Sequence, residues 1–211
     1  MFFPNLNINN SLTKEVAMAE KAEKQVIKTV YLVTHDSPQD IKDDGTWVLD
    51  PGMTEAGRQS ITSLTKHLTP LLYQGRPSEV HAGIGQRHFE VAAALGFTSD
   101  YHKSHIFYSA LWGDNSSPFL AGDQRYYLLG TGHAIDSQHL LTNTHLKRAV
   151  RETILSMPSR AVICGGRPIL AMLGIPYSQC MSGALYALQI CVDSEIMVEL
   201  IAKGENAKQG E

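Results

Sequence analysis

His35 closes the run Tyr31-Leu32-Val33-Thr34-His35, just past the carboxyl end of a predicted strand. That is where open α/β sheets gather ligand-binding groups. A histidine there has structural uses as well as chemical ones, so its partners decide what it could do. Other chemical patterns in the chain are incomplete. His88-Phe89-Glu90 matches the His-x-Glu of zinc deaminases, yet no Pro-Cys-x-x-Cys follows to complete a metal site. Cys164 lacks the arginine six residues on that a cysteine phosphatase loop needs, because Leu170 stands there. Gly83-Ile84-Gly85 lacks the third glycine of a dinucleotide-binding turn. His102 and His105 are spaced to share a metal but have no third ligand in view, so no metal is expected. His133, His139 and His145 read as helix-surface or loop residues.

Composition narrows the classes further. The 211 residues are 43% hydrophobic and 18% charged, enough apolar material for a sizeable core and too much for a disordered chain. A net charge of -3 and the lack of any basic run argue against nucleic-acid binding through phosphate neutralisation. Three cysteines, Cys164, Cys180 and Cys191, form neither a disulfide framework nor a zinc knuckle and fit a reducing cytoplasm. No apolar run is long enough to span a bilayer, and the first ten residues lack the pattern of an export signal.

The elements that must position His35 follow from periodicity. Residues 1–28 read as a tail with an appended helix over Ser11 to Val26, and 29–211 as a single α/β domain. Short β-rich runs alternate with helical stretches, the signature of strands joined by crossover helices. Strands are expected at Thr29 to Val33, Glu79 to Ala82, around Ile106 and Phe107, and at Arg160 to Cys164. Helices are expected from Thr54, whose hydroxyl can cap the first turn, from Gln86 to Leu95 before Gly96, and from Asp136 to Ser156. A short helix follows Pro168, and a hairpin of Ala184 to Val192 and Glu195 to Ile201 closes the chain. The glycine-rich stretch Leu111 to Gly132 has no clear period and reads as a long irregular insertion.

Three segments in this order resemble the histidine phosphatase (phosphoglycerate mutase-like) superfamily. That family carries Arg-His-Gly after its first strand, a Leu-Thr-x-x-Gly-x-x-Gln helix start, and Arg-Ala-x-x-Thr-Ala after its second strand. Here Thr34-His35-Asp36, Met53-Thr54-Glu55-Ala56-Gly57-Arg58-Gln59 and Arg87-His88-Phe89-Glu90-Val91-Ala92 take those places. The resemblance implies a three-layer sandwich with a mostly parallel central sheet flanked by helices. It also implies His35 as the nucleophile that attacks phosphorus and Arg87 as a phosphate clamp, with no cofactor. A neutral imidazole is a competent nucleophile, and a guanidinium can give two parallel hydrogen bonds to one phosphate.

The chain departs from that pattern at three places. Thr34 replaces the family's arginine, Asp36 replaces its glycine, and Gly165 stands where the second histidine is expected. Losing one oriented donor typically costs on the order of 100-fold to 1,000-fold in rate. A carboxylate at Asp36 about 5 Å from a phosphate charge would repel it by roughly 3 kcal/mol at an effective dielectric near 20, and would favour the non-nucleophilic imidazolium. Arg167, at the start of the helix after the fourth strand, is a candidate substitute clamp, and Asp114 is the nearest carboxylate to the family's general acid. The expectation is therefore a homologue that binds a small phosphorylated ligand or a protein partner with impaired catalysis, the alternative being a divergent phosphohydrolase working through a phosphohistidine at His35.

Overall fold

The computed structural model describes residues 24–36, 52–98, 101–107 and 144–209. Six strands form one mixed sheet: β1 Val26–Thr34, β2 Val80–Gly83, β3 His102–Ser104, β4 Val162–Gly165, β5 Met181–Cys191 and β6 Ile196–Gln209, in the order β3-β2-β4-β1-β5-β6. The pairings β3-β2, β2-β4 and β4-β1 are parallel, whereas β1-β5 and β5-β6 are antiparallel. The terminal hairpin thus joins the sheet beside β1 and makes it mixed.

Side chains alternate between the two faces of each strand, and the sheet uses both. Val30, Leu32 and Ile163 pack with Val150 and Ile154 of one helix, Thr144–Ser156, and with Ile169 and Leu170 of another, Pro168–Met172. Tyr31, Val33, Val162 and Cys164 pack on the opposite side with Ile61 of helix α1, Glu55–Ser63, and with Val91 and Ala92 of helix α3, Gln86–Ala94. The four-residue helix α2, Thr65–Leu68, extends α1. In chain order the helices facing the first side are α4, Thr144–Ser156, and α5, Pro168–Met172. Among the described residues, no helix is long and apolar enough to cross a membrane.

Several local expectations shift. The first strand opens at Val26, three residues before Thr29, so the last residue of the expected appended helix is already sheet; the rest of that helix up to residue 23 lies outside the described residues. Ile106 and Phe107 lie in a 3₁₀ turn after β3 rather than in the strand, because Phe107 is drawn wholly into the core. Arg160 has a left-handed backbone (φ 66°) and turns the chain into β4 instead of starting it. The hairpin is longer than expected, with β5 reaching back to Met181 and β6 running on to Gln209. Thr54 caps α1 as expected, its Oγ1 accepting from the Gly57 amide at 3.1 Å. The insertion over 111–132 and the start of the helix at Asp136 lie outside the described residues.

Candidate active site

The neighbouring parallel strands β2, β4 and β1 bring their carboxyl ends to one edge of the sheet, which is where such folds place their chemistry. β1 delivers His35, whose amide donates to Gly165 O at 2.8 Å and whose carbonyl accepts from Gly183 N at 3.0 Å. The imidazole is thereby fixed at its root from both sides. β2 ends at Gly83 and leads into α3, whose first turn carries Arg87 and His88, both buried.

His35 Nδ1 lies 3.1 Å from the carbonyl oxygen of Asp36. A carbonyl only accepts, so Nδ1 carries the proton and Nε2 keeps its lone pair. Nε2 faces Gly166: a Cβ added there would stand 3.3 Å from it. Part of the His35 surface remains open to solvent, yet protein crowds the ring enough that burial is the main cause holding its pKa down at about 3. The positive charge of Arg87 lowers it further, the hydrogen bond to Asp36 opposes the shift, and the charge of Arg167 adds to it. Both guanidinium groups therefore act on the same imidazole, which is neutral at physiological pH.

His88 is the functional candidate that sequence reasoning set aside. Its ring centroid lies 5.5 Å from that of His35, with the ring planes tilted by 38°. It is fully buried, and its pKa falls well below the ordinary histidine value through burial first and the electrostatic influence of the adjacent His35 site and Arg87 next, against a hydrogen bond to the Gly83 backbone. Gly83 makes room for it, since a Cβ there would collide with the His88 ring. A signal was present in the spacing: His88, Val91 and Ala92 lie at i, i+3 and i+4, the inward stripe of α3.

The other expected site residues divide. Arg87 is 5% exposed and stands beside the two histidines. Arg167 is half-buried, with its Cζ stacked 5.0 Å from the Tyr177 ring centroid. Thr34 is fully buried and serves the sheet: its hydroxyl donates to Met181 O at 2.8 Å and accepts from Ala184 N at 3.1 Å. Asp36 is also fully buried, and its carboxylate lies against Gly183, where an added Cβ would stand 2.5 Å from Oδ2. The expected imidazolium at His35 is corrected accordingly, because the Asp36 group that engages the ring is its backbone carbonyl. A second correction concerns Gly165. A side chain there would enter the core against Ile169 and Leu32, and Gly166 is the position that faces His35. Asp114 lies outside the described residues.

No protein-family model and no curated protein matches the sequence. Solved structures do match the fold. A structure described as mycobacterial hydrolase 1 aligns over 85% of this chain and 99% of its own, with a TM-score of 0.52 at 13% identity. A mycobacterial glucosyl-3-phosphoglycerate phosphatase complexed with VO3 aligns over 84% of this chain and 99% of its own, with a TM-score of 0.51 at 14% identity. The same phosphatase in its native form gives 0.50 at 14% identity, over 84% and 98% of the two chains. Identities this low speak for architecture, and the architecture is that of the histidine phosphatases: the chain has the phosphoglycerate mutase-like fold.

Proposed function

We propose that this protein is a divergent phosphohydrolase that takes the phosphoryl group of a phosphate monoester onto Nε2 of His35. The observation that carries the reading is the state of that ring: neutral, with Nδ1 committed to the Asp36 carbonyl and Nε2 turned toward the space beside Gly166. In the reaction Nε2 attacks phosphorus, the P–O ester bond breaks, and the leaving oxygen takes a proton from water. A second water then attacks the phosphorus and gives a proton to the hydroxide left by the first, the N–P bond breaks with its electron pair returning to Nε2, and phosphate departs. Arg87 and Arg167 offset the charge of the transferring group. Three free cysteines support a reducing, cytoplasmic setting.

A second reading, a homologue that binds phosphorylated ligands without turnover, draws on Thr34 being held in the sheet and on the lack of any side chain at Gly165 and Gly166. The purified protein with a generic aryl phosphate separates the two. We expect turnover that disappears in His35→Ala, together with acid-labile phosphate on histidine after quenching. Gly166→Ala, which crowds Nε2, should lower kcat by at least about 10-fold while leaving the fold intact. Turnover that persists in His35→Ala overturns the phosphohistidine reading. If turnover is absent but vanadate or phosphate raises Tm, the ligand-binding reading stands; no shift with any oxyanion sinks both.

A further inference from the structure

The geometry points to a divalent transition-metal site of the zinc type, built by Glu79, His81 and His102 on the edge of the sheet away from His35. The register places His81 of β2 directly beside His102 of β3, and their rings stack with centroids 4.9 Å apart at 27°. Glu79 precedes His81 by two residues and so projects to the same side of the extended chain. Its Oε2 lies 2.9 Å from His81 Nε2. One donor atom from each of the three residues falls within 4.8 Å of the other two.

The surroundings favour an ion. Val80 and Ala82 turn to the face that packs on α3, so His81 projects from the other face, where the edge of the Phe107 ring backs it at 6.5 Å. Lys103, next to His102, reaches instead toward the Phe89 ring on the α3 side, 5.5 Å from its centroid, which keeps its cation off the cluster. Two imidazoles and one carboxylate are a borderline-soft set that suits zinc, with the fourth tetrahedral position left to water. Rotamer adjustments of about 1 Å would close the donors to the spacing that metal–nitrogen bonds near 2.1 Å require. Among the described residues β3 is a three-residue edge strand paired only with β2, and the ion would clasp it there.

The inference is independent of the phosphoryl-transfer reading, and its test does not read activity. The full chain, stripped with a chelator and dialysed, is titrated with Zn2+ against a chromophoric indicator, and with Co2+ for the visible bands of a tetrahedral site. We expect one equivalent bound, weakened at least about 10-fold by His102→Ala and by His81→Ala, and unchanged by His35→Asn. Zn2+ should also raise Tm, an effect lost in His102→Ala. His102 is exposed, so its removal leaves the core in place; Glu79→Gln supplies a second variant with a milder change. Absence of stoichiometric binding overturns the proposal. So does binding that survives both histidine variants, or that vanishes in His35→Asn, which would move the ion to the His35 and His88 pair.

Discussion

At the scale of single residues, two imidazoles at the candidate site are kept neutral by their surroundings. The folded pKa of His35 is about 3, against about 6.5 for a free histidine, and that of His88 is shifted in the same direction. Above about pH 6.5 both states of the chain hold these rings neutral, and the contribution to stability is constant. As pH falls toward about 3, the unfolded chain takes up a proton at His35 that the folded chain excludes, so stability drops, by up to about 1.4 kcal/mol per pH unit, and His88 acts in the same direction. Denaturant unfolding at pH 7 and pH 5 should show this loss. In His35→Asn the difference between the two pH values should shrink by about 2 kcal/mol; an undiminished difference would mean that His35 is not held neutral.

At the scale of elements, α1 and α3 are locked together beneath the site by Glu90. Its Oε2 accepts from the Met53 amide at 2.5 Å and from Arg58 Nη1 at 3.2 Å, and its Oε1 accepts from Gln86 Nε2 at 3.0 Å. Arg58 Nη1 also donates to Met53 O at 2.6 Å. One carboxylate thus fixes the chain entering α1 against the first turn of α3, the turn that presents Arg87 and His88. Gly52 is required beside it, because a Cβ there would strike the Glu90 carboxylate. Glu90→Ala should cost about 1–3 kcal/mol in equilibrium unfolding, with Glu90→Gln costing less since it keeps one acceptor. Equal stability of Glu90→Ala and the parent would show that the contact is replaced by water.

At the scale of the whole molecule, two apolar layers pack on the two faces of one sheet, and all three cysteines are buried there as free thiols. Burial pushes the Cys180 thiol up to about 11 and raises that of Cys164 further. Thiolate is the reactive form, so both should resist alkylation in the folded protein. Mass spectrometry after brief treatment with a maleimide should find Cys164 and Cys180 unmodified under native conditions and fully modified in denaturant. Rapid native labelling of Cys164 would require opening of the central strands β1, β2 and β4.

The apolar runs Tyr31-Leu32-Val33 and Val162-Ile163-Cys164, the Thr54 cap and the Gly96 stop are local properties, and they made the strands, the helices and the position of His35 legible in the chain. Arg87 was named through the family resemblance of its segment, and its place at a helix start is a local property. The direction of the Asp36 carboxylate, the facing of Gly166 rather than Gly165, the nearness of His88 to His35 and the pairing of His102 with His81 were not. Each depends on which strands become neighbours and in what register. The order β3-β2-β4-β1 joins residues that lie far apart in the chain, and burial then decides whether an imidazole brought there is a charge or a nucleophile.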